Sequence, residues 1–478
     1  MEWKSDFLCS LRHRLTHVYN TVASPLPSTT MPAPPDNKKP ARTTTTFDFG
    51  TVAARDEAVS AFQKAGITCK DASIGFTGSK PMLLFVNPFG GVKEAVKIYT
   101  SVISPMLDIA GIPHERVDTI EHGHAEKVMK TVELSKYSAF IAVSGDGVLH
   151  EIVNGMLSRP DWRAARTIPV GTVGAGSSNA MNRNLGHMFP EYAVLSIIKG
   201  HTRSMDVLSV TLHESKKVVF THLNTTWAFI ADVDIESDRF RWIGREKVTL
   251  SALLRLARLR RYRAHIGIQP FNPNDPPLDT TTLNNMNDPT LVDPPASPSD
   301  TASAYGPRRM LGSAAAADAR VYPVQRPAAE DCVSFLTANN LGYISTDFKA
   351  SHLARLRSGF LDLTMGGRDV MRVGVLKMLV DGRLPEDLEN GLGIRSMLAR
   401  GFRLDPLGWD WGIDKWSAPS ETALEGGDGA YGRALAKLNK EVGGVVAVSG
   451  EPFKMESMTV EVHDSVLNIF TALWLNEE

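Results

Sequence analysis

Apolar and polar positions follow a regular order from about Pro81 to residue 204. Three short runs are apolar throughout, and each precedes a stretch with helical periodicity: PMLLFVNP precedes VKEAVKIYTSVISPML, SAFIAVS precedes VLHEIVNGML, and RTIPVGTV precedes SNAMNRNL. Strands that are apolar on both faces and alternate with helices are typical of a parallel sheet covered by helices. The pattern predicts an α/β domain over residues 79–204.

After about Met205 the apolar runs are separated by turns. A second, mainly antiparallel β domain over residues 205–478 is predicted from DVLSVTL, KVVFTHLN, WAFIADVD, RAHIGIQ, VSFLTANN and GFLDLTM, with one helix in TLSALLRLARLRRYR. Residues 271–328 are rich in Pro, Asn, Asp, Ser and Ala and lack periodicity, so they are predicted to be a disordered insertion. A second insertion is expected near residues 408–443.

Residues 1–78 have a different composition. EWKSDFLCSLRHRLTHVY places apolar residues at helical spacing, which suits an interfacial helix, a transit peptide or a helix packed on the body, or else a weakly ordered extension. SPLPSTTMPAPPDNKKPARTTTT follows and is predicted to be a disordered linker. Residues 1–78 are therefore expected to be a largely disordered extension with a possible amphipathic helix.

Composition narrows the classes of function. The 478 residues suffice for two domains, and a formal net charge of −1 argues against nucleic-acid binding. The 3 cysteines are far apart, which favours a reducing compartment without disulfides. No apolar run reaches the roughly 18–20 residues of a spanning helix. We therefore expect a cytoplasmic protein that reaches any lipid from the membrane surface.

Three glycine-bearing loops follow the three predicted strands: NPFGG (87–91), SGDG (144–147) and GAGSSN (174–179). Loops after parallel strands emerge at one edge of the sheet, where ligands bind in this architecture. Glycine lets backbone approach a ligand, and helix N-termini attract anions. The P-loop motif is absent, and GDGVLH contains only GxG. The three loops together still predict a nucleotide site.

Asp146 lies between two glycines at the predicted strand-to-helix junction. One interpretation is an N-cap that satisfies helix N–H groups. The other is a carboxylate beside bound phosphate, which would hold a metal or accept a proton from an attacking hydroxyl. The second interpretation points to phosphoryl transfer.

SGDGVLHEIVNGMLSRPDW strongly resembles the sphingosine kinases, within the diacylglycerol-kinase-like superfamily. Residues 227–263, the VNPFGG loop and VSGEPF (448–453) also fit this family. The resemblance covers roughly residues 80–270 and 330–470. It implies an α/β nucleotide-binding domain, with a parallel sheet flanked by helices, and a mainly antiparallel β-sandwich that binds lipid.

The resemblance also implies ATP-dependent phosphorylation of the primary hydroxyl of a sphingoid base, with Mg²⁺ and with Asp146 as the general base. It does not tell us which residues hold the metal. Carried over by position, the residues expected to contact ATP are Asn87, Thr119, Ser144, Gly145, Gly147, Gly176, Ser177, Asn179, Arg241, Lys247, Gly450 and Glu451.

Asp234 would meet the lipid head group in this family, and Asp232 is a second candidate. The two alternate along IADVDI, so on a strand they would share one face. A sphingoid base carries an ammonium group, for which a carboxylate is the natural partner. The alternative is that one of them pairs with an arginine of the following segment, at position 239, 241 or 245.

Leu250, Leu253 and Leu254 fall at helical spacing beside Arg255 and Arg258. They would either belong to the core or form a membrane-contacting ridge with flanking cations. We expect peripheral membrane contact through this ridge. The sequence does not indicate an oligomeric state.

Three residues depart from the family pattern. Ser178 stands in the GAGSSN loop where the family commonly has glycine, Ser449 stands where it commonly has aspartate, and Lys247 stands where arginine is frequent. Two alternatives to a sphingosine kinase therefore stay open. One is a diacylglycerol, ceramide or NAD kinase, and the other is a nucleotide-binding relative with little activity.

Overall fold

The computed structural model describes only part of the chain: residues 80–90, 93–237, 247–257, 259–271, 332–367, 370, 372–384, 393–410, 444–472 and 475. The N-terminal extension lies outside the described residues, as do most of both expected insertions. Arg241 also lies outside them, and the side chain of Lys247 is not described.

The chain forms two compact units. The first contains the described residues up to Ile152, Thr167–Arg203 and the residues from Asn468 onward; the second contains Val153–Arg166 and Ser204–Leu467. Two segments thus differ from the division expected from the sequence. Residues 153–166 belong to the second unit, and the end of the chain returns to the first.

From residue 80 to Lys199 the elements are β1 (Met82–Val86), α1 (Ala95–Ile98), α2 (Ser104–Ala110), β2 (His114–Asp118), α3 (His124–Thr131), β3 (Ala139–Ser144), α4 (Asp146–Leu157), α5 (Trp162–Ala165), β4 (Val170–Gly174), α6 (Ala180–Asn184) and α7 (Pro190–Lys199). A π-helical turn joins α1 and α2, and a single 3₁₀ turn precedes β3.

The first unit is built on a parallel sheet with strand order β2-β1-β3-β4. Strands β1 and β3 are buried along their whole length, and they pack in one core with α1, α2 and α7. The predicted α/β domain is confirmed. Strand β2 was not predicted, because HERVD is polar and only partly buried at the edge of the sheet.

The elements that follow are β5 (Thr202–Leu212), β6 (Lys217–Thr221), β7 (Asn224–Ala228), α8 (Phe229–Ser237), α9 (Lys247–Ala257), β8 (Arg261–Pro270), β9 (Cys332–Val333), β10 (Phe335–Asn339), β11 (Leu361–Gly366), α10 (Arg372–Asp381), β12 (Ile394–Asp410), β13 (Val445–Val448), β14 (Glu451–Lys454) and β15 (Met458–Phe470).

Strands of the second unit pair antiparallel in the order β14-β13-β7-β10-β11-β12-β15, with β8 between β12 and β9. Trp227, Tyr262 and Phe402 are fully buried in its main core. The antiparallel pairing agrees with the expected β domain. A two-layer sandwich with a lipid pocket stays a prediction.

The stretch WAFIADVD was predicted to be a strand, and this was wrong for its last six residues. Strand β7 ends at Ala228, and α8 begins at Phe229. Most of α8 is buried on all sides, so its sequence shows no amphipathic period, and a short apolar run does not distinguish a buried helix from a strand. Residues two apart on a helix point roughly 200° apart. Asp232 and Asp234 therefore do not share a face.

Phe271, the first residue of the expected first insertion, is held in the second unit. Phe271 packs against Phe360 with 5.0 Å between ring centroids, and the Arg400 guanidinium lies 5.0 Å from its ring centroid. Phe271 also donates its N–H to the Leu398 carbonyl. This aromatic residue therefore anchors the end of β8 to the second unit.

Within the described ranges, no helix is both long enough and apolar enough to cross a bilayer.

Candidate active site

The three glycine loops meet at the carboxyl edge of the parallel sheet. A β-carbon built on Gly90 would lie 2.9 Å from Asn87 Nδ2 and 3.5 Å from Ser144 Oγ, so the first two loops are adjacent. A β-carbon on Gly176 would lie 2.5 Å from Gly145 Cα, so the second and third loops are packed backbone against backbone. The structure thus brings together the loop residues predicted to contact a nucleotide.

Part of the glycine requirement comes from this packing. Any side chain at Gly176 would collide with the Gly145 backbone. Asn179 holds the same loop, because its Oδ1 accepts the Gly176 N–H at 3.0 Å and its Nδ2 donates to the Gly176 carbonyl at 3.1 Å. Gly176 and Asn179 therefore shape the third loop, and the Gly176 N–H is already used within it.

Asp146 is the first residue of α4, but its carboxylate caps another helix. Oδ2 accepts the Ala180 N–H and Oδ1 accepts the Met181 N–H, both at 2.9 Å, at the start of α6. The capping interpretation is therefore correct, although the capped helix is the one that follows the third loop. Asp146 thereby ties the second loop to the third.

Burial raises the pKa of Asp146 to about 6, and the backbone hydrogen bonds from Met181 and Ala180 only partly oppose this effect. A carboxylate has about four acceptor positions, so the hydrogen bonds that Asp146 accepts do not use its full capacity. A cap and a proton acceptor are therefore compatible in the same carboxylate.

The other predicted loop residues differ in how freely a ligand could reach them. Thr119 is buried at the end of β2, where its N–H donates to the Val86 carbonyl at 2.9 Å. Asn87 Oδ1 accepts the Phe89 N–H at 3.0 Å, which fixes the first loop. Ser177 is exposed. Ser178 does not adopt a positive φ, so its side chain costs no backbone strain.

Two residues of the HEIVNG motif have structural roles that the sequence did not reveal. Glu151 caps α3 by accepting the Gly123 N–H at 2.8 Å and the Ala125 N–H at 2.9 Å. In the second unit, the Asn154 side chain makes two hydrogen bonds with the Phe220 backbone. Its Nδ2 donates to the Phe220 carbonyl and its Oδ1 accepts the Phe220 N–H, each at 2.8 Å. The motif therefore encodes packing of distant segments as well as chemistry.

Asp232 is buried in the second unit and held by side chains. It accepts a hydrogen bond from the Tyr262 hydroxyl at 2.7 Å, and Arg260 lies 3.5 Å away. Burial, with the Asp232 charge beside it, raises the pKa of Tyr262. Among the described residues, the arginine partner of Asp232 is Arg260, and positions 239, 241 and 245 lie outside the described residues. Within the described chain, Asp232 Oδ1 accepts no hydrogen bond.

Asp234 is exposed on α8 and lies beside the turn between β13 and β14. A β-carbon on Gly450 would be 3.7 Å from Asp234 Oδ2. The same turn leads into Glu451, the first residue of β14. The structure therefore places a predicted substrate carboxylate next to two residues predicted to contact the nucleotide.

The β13–β14 turn has two residues with positive φ, Ser449 at 50° and Gly450 at 82°. Val448 and Glu451 are the paired residues that flank it. Positive φ at both central residues is characteristic of a type I′ hairpin turn, in which Asn, Asp and Gly are favoured. The aspartate common in the family would suit this position, and Ser449 occupies it here.

The leucines of α9 are divided between two environments. Leu253 is 49% exposed and Leu254 is 53% exposed, whereas Leu250 is half-buried. Ala252 and Leu256 form the buried face of the helix. The core alternative is therefore wrong for Leu253 and Leu254, whose side chains are exposed at the surface.

Among the described residues, no group of three His, Cys, Asp or Glu side chains is close enough to hold a metal ion. Mg²⁺ is commonly held through one or two carboxylates together with substrate phosphates, and it does not require such a cluster. The donor chemistry of Asp146 fits that kind of binding, because both of its oxygens retain an acceptor position.

The chain is similar to known lipid kinases. Residues 81–210 match the diacylglycerol kinase catalytic domain. Sphingosine kinase 2 of Arabidopsis thaliana is 41% identical over 196 residues, which cover 40% of this chain and 40% of that protein. Human sphingosine kinase 1 is 35% identical over 200 residues, which cover 40% of this chain and 52% of that protein. The chain thus matches about half of these relatives' length or less.

Among solved structures, a putative diacylglycerol kinase from Bacillus anthracis aligns with a TM-score of 0.49 and 15% identity, over 84% of this chain and 98% of that one.

The segment that matches the catalytic domain contains all three glycine loops and Asp146. The similarity to several sphingosine kinases confirms the resemblance inferred from SGDGVLHEIVNG. Residues 81–210 therefore match the diacylglycerol kinase catalytic domain, and the chain is similar to the sphingosine kinases.

Proposed function

We propose that this protein is a lipid kinase that transfers the γ-phosphoryl group of ATP to the primary hydroxyl of a sphingoid long-chain base. The observation that carries the proposal is Asp146, a half-buried residue whose carboxylate is held by two backbone N–H groups where the glycine loops meet. With a pKa of about 6, this carboxylate is ionised at neutral pH and is still basic enough to accept a proton.

In the proposed reaction the substrate hydroxyl loses its proton to Asp146 while its oxygen forms a bond to the γ-phosphorus. The bond from that phosphorus to the oxygen bridging the β-phosphate breaks, and ADP is the leaving group. Mg²⁺ bound to the phosphates would neutralise charge that develops there. Asn87, Thr119 and Ser177 would contact the nucleotide on the first unit.

The remaining nucleotide contacts are proposed by position alone. Gly450 and Glu451 would lie near the adenosine, and Arg241 and Lys247 would reach the phosphates. Gly450 and Glu451 are supported by their location on the hairpin formed by β13 and β14. For Arg241 the support is the family resemblance, because its structure is outside the described residues.

Asp234 is the proposed partner of the substrate ammonium. Its exposure supports this role, because a ligand can reach its carboxylate from solvent. Asp232 is a weaker candidate, since Tyr262 and Arg260 already contact it on one oxygen. A buried ammonium needs a carboxylate or equivalent partner to offset its desolvation.

Contact with a membrane surface is proposed through Leu253 and Leu254, with Leu250 at the edge of the ridge. Their exposure supports this, and helix α10, which packs beside α9, adds Val373 and Leu376, which are 63% and 37% exposed. Long-chain bases reside mostly in membranes, so a kinase that acts on them would meet its substrate at the membrane surface. We propose a cytoplasmic, peripherally attached enzyme.

A second candidate function is phosphorylation of a neutral lipid, because the matching domain is that of the diacylglycerol kinases. Diacylglycerol and ceramide lack an ammonium group. They would offer no positive charge to Asp234, and this disfavours them.

The test is a transfer assay with purified protein, labelled ATP and a panel of possible acceptors. The panel contains three sphingoid bases (sphingosine, dihydrosphingosine and phytosphingosine), ceramide, diacylglycerol and NAD. We expect phosphorylation of the sphingoid bases above all others. Equal turnover of ceramide or diacylglycerol would replace the proposal with the neutral-lipid alternative. No transfer to any acceptor, with ATP binding intact, would favour a nucleotide-binding relative of little activity.

A further inference from the structure

A buried pair of hydroxyl groups lies beneath the β13–β14 turn. Thr221, the last residue of β6, is fully buried, and its Oγ1 is within hydrogen-bond distance of Ser449 Oγ. The same Oγ1 donates to the Asn224 carbonyl at 3.1 Å and is approached by the Leu223 N–H at 3.3 Å. A hydroxyl has one proton to donate. Ser449 is therefore the donor to Thr221 in this pair.

Ser449 needs such support because of its backbone. Its φ is 50°, in the left-handed region where Asn, Asp and Gly are favoured and Ser is not. Its N–H donates to the Asn224 carbonyl at 2.9 Å. Two hydrogen bonds, one from the side chain and one from the backbone, thus fasten the turn to the β6–β7 connection.

The turn fastened in this way borders the residues proposed to bind ligands. Gly450 lies against the Asp234 carboxylate, and Glu451 follows directly in β14. A shift of the turn would change the surroundings of Asp234 and the position of Glu451 together.

We propose that Thr221 is a positioning residue for ligand binding: through Ser449 it holds the β13–β14 turn so that Asp234 and Glu451 keep their binding geometry. This inference rests on the proposed function, because it assigns Asp234 to the lipid amine and Glu451 to the nucleotide. It also explains how this chain retains a type I′ turn with serine at position 449. The buried hydroxyl of Thr221 supplies the acceptor that the serine needs.

The experiment compares Thr221→Val, which removes the hydroxyl at nearly constant volume, with Thr221→Ser, which keeps it. Thr337→Val is the matched control, because Thr337 is a buried hydroxyl in β10 that donates to Asn339 Oδ1 at 2.7 Å and is not adjacent to the turn in sequence.

We expect Thr221→Val to raise KM for both the sphingoid base and ATP by about 3–10-fold, the value of one ordinary hydrogen bond, while kcat changes less. Thr221→Ser should have wild-type KM values. Thr337→Val should lower the melting temperature without a change in either KM. A Thr221→Val enzyme that melts earlier but keeps both KM values would overturn the proposal.

Two further measurements keep the outcome clear. If Thr221→Val does not fold, Ser449→Ala removes the same hydrogen bond from its other end and must raise both KM values. If the wild type phosphorylates no lipid, the proposed function fails by itself. Amide hydrogen exchange at Gly450 and Glu451 then still decides the turn: it should be faster in Thr221→Val than in Thr221→Ser, and equal rates would contradict the positioning role.

Discussion

The two units differ in how they hold their candidate site carboxylates, Asp146 and Asp234. In the first unit, Asp146 is fixed by two backbone N–H groups of a neighbouring helix and is buried enough to shift its pKa. In the second unit, Asp234 is exposed and is bordered by a hairpin turn that depends on a side-chain pair. A backbone-held acid has a defined proton affinity and position. The geometry around an exposed acid depends on its neighbours.

The largest expected effect is that of Asp146→Asn. We expect turnover to fall by about 10²–10⁴-fold, the usual contribution of a general base. The substitution also affects stability, because an amide can accept only one of the two N–H groups of Ala180 and Met181 and turns its own N–H toward the other. The loss should be about 1–2 kcal/mol, typical of a lost cap.

The control for Asp146→Asn is Glu151→Gln. Glu151 caps α3 with the same two-oxygen geometry, through Gly123 and Ala125. This variant should lose comparable stability in urea unfolding and keep most of its turnover. If both variants lose activity equally, Asp146 acts only as a cap.

The second prediction concerns pH. The folded-state pKa of Asp146 is raised to about 6, so the ionised base is depleted as pH falls below this value. We expect kcat/KM for the lipid to decline about tenfold per pH unit on the acid limb. A profile that is flat down to pH 5 would contradict the base assignment.

Stability must be followed in parallel, since a raised carboxyl pKa also affects folding. Asp146 favours the folded state most below its usual pKa of 3.8, and this contribution is lost as pH rises through about 6. Asp206 behaves similarly, because burial raises its pKa to about 7. Ionisation of these two groups therefore lowers the stability of the fold as pH rises. Unfolding caused by these groups thus does not explain a loss of activity when pH falls below about 6.

The third prediction separates the two aspartates of α8. Asp234→Asn should raise KM for the sphingoid base roughly 10-fold, less than for a buried pair because Asp234 is exposed. KM for ATP should stay the same. Asp232→Asn weakens the contact with Tyr262 and should mainly lower the melting temperature. If Asp232→Asn instead has the larger effect on the lipid KM, Oδ1 of Asp232 is the atom that contacts the amine.

These contrasts also show how much the sequence could predict. Strands β1, β3 and β4, their loops and the position of Asp146 follow from apolar runs that end in glycines, because a parallel sheet places such ends at one edge. The partners of Glu151 and Asn154 lie 28 and 66 residues away, and no local pattern marks them. Helix α8 was mistaken for a strand because its burial erases the helical period.

The fourth prediction concerns the exposed leucines. Leu253→Gln with Leu254→Gln should reduce binding to vesicles of anionic lipid several-fold, because two apolar side chains are lost from the contact. Activity on detergent-dispersed substrate should persist. Leu256→Gln is the control, since Leu256 is buried and its substitution should lower stability. Unchanged vesicle binding in the double variant would show that these leucines of α9 do not contribute to membrane binding.

The smallest effect is expected from shortening the first insertion, provided the connection keeps its reach. Arg263 pairs with Cys332, and Pro270 ends β8 seven residues beyond Arg263, so the connection must span about 23 Å. Removing all of 271–328 would leave three residues, with a reach of only about 14 Å, and would also remove Phe271. That deletion should therefore destabilise the second unit.

Removing 281–322 instead leaves 19 residues in the connection, the sum of 10 from 271–280 and 9 from 323–331. Their reach of about 60 Å exceeds the span, and Phe271 keeps its contacts with Phe360 and Arg400. We expect a melting temperature and a turnover close to those of the full chain. Thermal melts and transfer assays of both deletions provide the comparison. A shorter variant that aggregates despite this reach would show that residues 281–322 pack on the second unit, contrary to their composition.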